Sequence, residues 1–220
     1  MRTYAIGDIH GCLRHLVDLL GQIDALQGGQ PCRIVCLGDY IDRGPDSSGV
    51  VALLRRRESE AVPGTFVCLK GNHEGLLDDV RLSRASAELT WLHNGGTDTL
   101  RSYGVVSAAE MPSDDIAWLS ARPTSFEDGR RYFVHAGLNP DLPLDRQTDQ
   151  DRLWIRGPFL ESDRDFGPYV VHGHTPVTTM RPDVRNNRVN IDTAAVYGGC
   201  LTSAAFSDDE RQPIGFLQAW

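Results

Sequence analysis

Five short segments of this chain combine glycine with hard oxygen or imidazole donors. They are Gly7-Asp8-Ile9-His10-Gly11, Gly38-Asp39-Tyr40-Ile41-Asp42-Arg43-Gly44, Gly71-Asn72-His73-Glu74, Val134-His135-Ala136-Gly137 and Gly173-His174-Thr175. The first three each follow a short apolar run, where a strand should end. Loops at strand ends are where α/β folds place their chemistry.

Asp8 and His10 straddle one residue, so both can face one cation. Asp39 offers a carboxylate able to bridge two. Asn72 offers a neutral carbonyl oxygen, and His135 and His174 add imidazoles. Mixed nitrogen and oxygen donors without thiolate suit manganese, iron or zinc better than calcium. Two divalent ions about 3.5–4 Å apart would generate a hydroxide nucleophile near neutral pH and clamp the oxygens of an in-line displacement. Arg43 carries a planar fork that matches two phosphoryl oxygens, and Arg156, in Leu153-Trp154-Ile155-Arg156, could supply a second. His73 follows Asn72 and cannot easily point at the same metal. It is free to act as a general acid, with Asp42 as the partner that fixes its tautomer.

Taken singly these segments are ordinary. An Asp-x-His is usually a surface loop pair, and a Gly-His-Thr carries almost no information. The weight lies in five glycine-flanked segments in a fixed order on predicted strand ends. Three other histidines are left out. His15 is expected on an exposed helix face, His93 in a helical region, and His172 one step out of its motif.

The elements that position these loops begin as βαβαβ. Strands are expected at 3–6, 33–37 and 65–69. The helix over 12–26 has Leu13, Leu16, Val17, Leu20 and Ile23 on its inner face. A second spans 47–57, with Val50, Val51, Leu53 and Leu54 inward and Ser47 or Ser48 as cap. Parallel pairing with right-handed crossovers follows. From 74 to about 122 only helical patterns occur, broken at Asn94-Gly95-Gly96 and before Pro112. They read either as an insertion over the site or as extra helices packed on the sheet. Trp91 and Trp118 read as core residues of these helices. The remainder turns to β, with hairpins at Asp128-Gly129 and Asn186-Asn187 and a closing pair at 201–206 and 214–217. The expected architecture is one α/β domain over 1–220, with two mixed sheets packed face to face and helices outside.

The chain has 220 residues, enough for one well-buried core and at most a small cap. Its formal net charge of −8 argues against nucleic acid or an anionic membrane as partner. No apolar stretch approaches the roughly 20 residues of a membrane span. Residues 1–6 run straight into the first motif, leaving no room for a signal peptide, so the cytoplasm is the expected compartment. The five cysteines read as reduced core thiols. A zinc site from Cys32 and Cys36 is disfavoured, since both lie in an apolar strand. With no unusual apolar stripe, a monomer is expected.

From Tyr4 to about Leu201 these motifs resemble the phosphoprotein phosphatase branch of the calcineurin-like metallophosphoesterases, and the small bacterial and phage members most of all. The resemblance implies that Asp8, His10 and Asp39 bind one metal, and Asp39, Asn72, His135 and His174 the other. It implies two divalent ions, manganese first with iron or zinc possible, and a metal-bound hydroxide that attacks phosphorus with no phosphoenzyme. Arg43 and Arg156 would hold phosphate, and His73, paired with Asp42, would protonate the leaving alkoxide. Asp192-Thr193-Ala194-Ala195 departs from the Asp-Thr-Gly common in related chains. The expected activity is hydrolysis of phosphoserine or phosphothreonine in proteins, with phosphotyrosine and small monoesters as further substrates. The alternative is hydrolysis of dinucleoside polyphosphates, whose symmetrical hydrolases tend to differ from the Asp42-Arg43 pair. A third reading is a catalytically silent phosphate-binding scaffold. It predicts phosphopeptide binding without turnover.

Overall fold

Alternation along the strands decides which side chains meet which layer. In β1 (Arg2–Ile6), Ala5 faces a second sheet while Tyr4 and Ile6 face helices. In β2 (Cys32–Cys36), Val35 faces the sheet and Ile34 and Cys36 the helices. Period-two alternation with apolar residues on both faces marks a strand buried on both sides. The computed structural model describes residues 1–84 and 86–220. Residue 85, inside the predicted helical stretch, lies outside the described residues.

α1 (Leu13–Gln27) follows β1, and α2 (Ser47–Glu60) lies between β2 and β3 (Phe66–Cys68). The three strands pair in parallel. α1 buries Leu16, Leu19, Leu20 and Ile23, while Val17, expected inside, is 54 % exposed. The buried stripe takes in Leu19 instead, on its opposite flank. α1 has no side-chain cap. Each fully buried aliphatic side chain contributes roughly 1.5–3 kcal/mol, so its apolar face, not its ends, holds it. α2 is capped by Asp46, whose carboxylate accepts from the Gly49 N–H; Ser47 and Ser48 lie inside the helix. Leu53 is only half-buried.

The stretch after β3 holds α3 (Asn72–Arg81), α4 (Ala87–Trp91), α5 (Thr97–Tyr103) and α6 (Ser113–Ser120). The chain then returns to β with β4 (Ser125–Glu127) and β5 (Arg131–Val134). α7 (Asp149–Trp154) and α8 (Gly157–Leu160) lead into β6 (Tyr169–His172), β7 (Asp183–Val184) and β8 (Arg188–Asn190). β9 (Leu201–Phe206) and β10 (Gly215–Ala219) close the first sheet.

The two five-stranded sheets have orders β10-β9-β1-β2-β3 and β4-β5-β6-β8-β7. Each has three parallel strands; the first adds the antiparallel β9 and β10 on one side, and the second an antiparallel strand at each edge. Ala5, Val35 and Phe206 of one sheet meet Phe133, Val171 and Val189 of the other in a shared core. Both predicted hairpins and the closing pair are present. No helix among the described residues is long and apolar enough to cross a membrane.

Candidate metal centre

The parallel strands of both sheets end at one place. Asp8 and His10 follow β1, Asp39 follows β2, and Asn72 and His73 open α3 just after β3. His135 follows β5 and His174 follows β6. Backbone bonds tie the loops together. The Ile9 and His10 N–H groups donate to Asp39 O at 3.1 and 2.8 Å, and Gly173 N–H donates to His135 O at 2.8 Å. Gly44 permits the first two loops to touch, since a Cβ there would collide with the carbonyl oxygen of His10. Beneath them the buried Glu74 carboxylate accepts from the N–H groups of Asp39, Tyr40 and Gly71 at 2.8–2.9 Å. His10, Asp39, Asp42, Arg43 and His174 all have positive φ. Non-glycine residues pay for that backbone and keep it where surroundings over-determine it, often at functional sites.

The tautomers follow from the partners. His10 Nδ1 lies 2.9 Å from Ile41 O, and His135 Nδ1 lies 3.1 Å from Leu37 O. A carbonyl only accepts, so each Nδ1 carries the proton and each Nε2 presents a lone pair. His135 Nε2 stands 2.8 Å from Asn72 Oδ1, 3.2 Å from His174 Nδ1 and 3.4 Å from Asp39 Oδ1. Burial, followed by neighbouring imidazoles, holds His135 and His174 well below the ordinary histidine value. His135 Nε2 thus offers its lone pair among Asn72 Oδ1, the His174 ring and the Asp39 carboxylate, a mixed nitrogen and oxygen donor set that a divalent cation fits. On the other side His10 Nε2 lies 3.4 Å from Asp39 Oδ2 and receives Arg43 Nη1 at 2.7 Å. A guanidinium thus already sits against that lone pair.

The donor atoms of His10, Asp39 and His73 lie within 4.8 Å of one another, as do those of Asp39, His135 and His174. Asp39 is common to both groups. Asp8 belongs to neither. Its carboxylate accepts from the His174 N–H at 3.1 Å and is an electrostatic neighbour of Asp39 and Asp192. His73 is tied elsewhere, with Nδ1 2.6 Å from Asp42 Oδ2 and Nε2 3.9 Å from Asp39 Oδ2.

Asp42 is itself held by two residues of the helical stretch. Trp91 Nε1 donates to it at 3.0 Å and Thr99 Oγ1 at 2.7 Å. Trp91 is thus more than the core residue its sequence suggested. Gly95 lets the helices come this close: its φ is +105°, a Cβ would press on Arg43, and its carbonyl accepts the Arg43 N–H at 3.2 Å. Trp118 is half-buried and likewise polar in use, donating to Glu58 at 2.6 Å.

Burial dominates the electrostatics. It pushes Asp42 and Glu74 up to about 7 and Asp192 to about 6, against the hydrogen bonds that each accepts. Asp8 and Asp39 are raised well above the ordinary carboxyl range by the same desolvation and by neighbouring carboxylates. Burial, then Arg43 and Arg156, pushes His73 down to about 3. Unfolded carboxyls titrate near 4 and histidines near 6.5. The depressed histidines contribute stability above pH 6.5 that is lost on acidification. The raised carboxyls act oppositely, since the native state keeps protons that the unfolded chain has lost. Above about pH 7.5 the unfolded histidines are neutral as well, and the raised carboxyls then set the slope. Metal-stripped protein should therefore lose stability from about pH 7.5 to 9, with Tm falling about 2–4 °C per kcal/mol. Divalent ions favour the ionised carboxylates and should flatten that slope. Thermal melts across this range, with and without manganese, check it; a Tm that rises with pH in the stripped protein would contradict the assignment.

Arg156, at the start of α8, is exposed, and its charge reaches His73, His174 and Asp192. His93 is exposed and bonded to Leu89 O at 2.7 Å, and His172 is buried against Phe159, with its ring near enough to His135 and His174 to act on both electrostatically but in neither donor group. His15 is half-buried, not on an exposed face, because it faces a cavity beside Arg43. The sequence alone assigns Glu74, Thr99 and Asp192 no part in the site, and Trp91 only a place in the core. Glu74 and Asp192 carry a local signal, since each stands in a segment with other motif residues. Thr99 and the polar use of Trp91 emerge only once the helices are packed. Ala194, where the family resemblance leads glycine to be expected, takes a left-handed conformation, φ 62°.

The calcineurin-like phosphoesterase profile matches residues 1–200. The chain is 34 % identical over 211 residues to serine/threonine-protein phosphatase 1 of Salmonella typhimurium, covering 92 % of this chain and 90 % of that one. It is also 34 % identical over 274 residues to a symmetrical bis(5'-nucleosyl)-tetraphosphatase of Janthinobacterium, covering 94 % of each. A solved structure provisionally named a diadenosine tetraphosphatase superposes with a TM-score of 0.70 at 26 % identity, over 100 % of this chain and 94 % of that one. With the strand-end donor cluster, these matches show that the chain belongs to the calcineurin-like phosphoesterase family.

Proposed function

We propose that this protein is a metal-dependent phosphomonoesterase acting on phosphoserine and phosphothreonine in proteins. The observation that carries the reading is Asp39, set between two groups of nitrogen and oxygen donors with His73 Nε2 beside it. Asp8, His10 and Asp39 would hold one divalent ion, and Asp39, Asn72, His135 and His174 the other, with manganese first and iron or zinc also fitting. Bound there, the ions would acidify water and offset phosphoryl charge.

The chain's own residues then bind, orient and move a proton. Arg43 must leave His10 Nε2 to meet a phosphoryl group, and the exposed Arg156 can close from the rim. His73 is neutral as it stands, since Arg43 and Arg156 add to its desolvation. A phosphoryl dianion between those arginines offsets both, so Nε2 can hold a proton and give it to the leaving oxygen. Asp42, fixed by Trp91 and Thr99, sets the ring orientation. On this reading stretch 74–122 is an insertion that completes the site.

The phosphoprotein choice is supported by the intact Asp42-Arg43 pair and by the 34 % identical phosphatase relative. The second reading is a dinucleoside-polyphosphate hydrolase. It is supported by the equally similar tetraphosphatase and by the full-length structural match. The first test is p-nitrophenyl phosphate turnover by metal-stripped protein, with and without manganese, followed by phosphopeptide against diadenosine tetraphosphate. Turnover only with metal and preference for phosphopeptide is expected. Preference for the dinucleotide would replace the first reading with the second. No turnover with manganese, iron or zinc bound would leave the silent scaffold.

A further inference from the structure

A cavity of about 710 Å³ adjoins the candidate metal centre, between the first turn of α1, loop 43–46 and segment 195–198. Arg43 is the wall the two share. Its Nη1 reaches His10 Nε2 at 2.7 Å, and its guanidinium carbon lies 5.7 Å from the ring centroid of Tyr197, which is 57 % exposed. Arg14, exposed, and His15, half-buried, line the same cavity. His15 Nδ1 is shielded from solvent and has no hydrogen-bond partner among the described residues. The sole carboxylate in the lining is Asp46, already engaged with the Gly49 N–H at 2.9 Å as the cap of α2. The first turn of α1 carries no acidic residue. In a chain of net charge −8, two arginines and an imidazole thus face a single committed carboxylate.

We propose that this cavity is a subsite for a second anionic group carried by the substrate alongside the scissile phosphoryl group, with Arg14 and His15 as specificity-determining residues. The inference rests on the phosphoesterase reading above. Its volume falls within the roughly 300–1,000 Å³ of small-molecule sites, so it can take a charged group and part of what bears it. Arginine and an imidazole N–H both donate to phosphoryl or carboxylate oxygens. Two sources share that chemistry: the next phosphoryl group of a phosphoanhydride chain, and an acidic residue beside a phosphoserine.

Inhibition of p-nitrophenyl phosphate turnover by methylenediphosphonate and by inorganic phosphate, with manganese in excess, reads the second group. The bisphosphonate is expected to inhibit about tenfold more tightly. In the Arg14→Ala/His15→Ala double variant that advantage should shrink to about twofold or less, with p-nitrophenyl phosphate kcat/KM within about twofold of the parent. Equal inhibition constants in the parent, or an advantage untouched in the double variant, overturn the subsite. If the double variant fails to fold, Arg14→Glu alone, at an exposed position, should abolish the bisphosphonate advantage, and its persistence overturns the subsite. Failure of the parent to turn over p-nitrophenyl phosphate would strike the phosphoesterase reading instead. Calorimetric titration of metal-loaded protein with the two anions then decides the subsite on binding alone. Diadenosine tetraphosphate, and phosphoserine peptides with glutamate or alanine next to the phosphate, distinguish the sources. The substrate whose kcat/KM falls in the double variant names the source, and no fall for any of them counts against the proposal.

Discussion

Asp39→Asn is expected to remove nearly all turnover while leaving the fold intact. The substitution is close to isosteric. Its retained oxygen can still accept the His73 N–H, which Asp39 Oδ1 receives at 3.0 Å. Its new amide can donate to His10 Nε2, which stands 3.4 Å from Asp39 Oδ2. It also removes a buried carboxylate whose ionisation burial opposes. Metal-stripped variant should therefore melt at the same temperature as the parent or higher. Metal binding should suffer in both donor groups, because Asp39 belongs to each. Outer-shell changes typically cost about 10–100-fold in affinity or activity, so loss of a shared ligand should cost on the order of 10³-fold or more. Metal content of the purified variant, thermal melts and p-nitrophenyl phosphate kinetics check this together. Retention of two ions per chain with normal turnover would remove Asp39 from the bridging role.

His73→Ala is expected to lower kcat by about 10²–10⁴-fold, the usual contribution of a positioned general acid. Metals should stay bound, since His73 Nδ1 is engaged with Asp42 at 2.6 Å and the other donors are untouched. Asp42 keeps Trp91 and Thr99 as donors, so the variant should fold. The loss should be smaller for an aryl phosphate, whose leaving oxygen needs little protonation, than for an alkyl phosphate. Equal loss for both would argue that His73 binds or orients substrate and does not protonate it.

Much of the site was readable because strand-end loops are local features. An apolar run of four or five residues, a glycine and a hard donor each report on a few bonds of chain. Period-two alternation then requires β1, β2 and β3 to be buried on both faces, so their polar residues collect at the ends. The same locality explains the errors. Val17 and Leu19 both fit a helical stripe, and only the tertiary core that α1 joins chooses Leu19. Ser47 and Ser48 are good cap residues, yet Asp46 lies one step earlier with its carboxylate on the Gly49 N–H. His15 looks solvent-facing in a helical repeat, and becomes cavity-lining only because the Ala195–Tyr197 turn rises opposite it.

By itself the sequence determined the donor chemistry, the leading βαβαβ order, the closing β hairpins and the family, but not α7 and α8, which lie in a stretch that reads as β. Those depend on residue type and on contacts within a few positions. Only the tertiary structure decided which nitrogen of His10 and of His135 is free. That is set by carbonyls at Ile41 and Leu37, 31 and 98 residues away from His10 and His135. It likewise decided that Trp91 and Thr99 hold Asp42, across 49 and 57 residues, and that Arg43 joins the donor cluster to a second cavity. The physical reason is the same in each case. Burial makes a polar group take whatever partner the fold brings to it, and a partner so far along the chain leaves no mark on the local pattern.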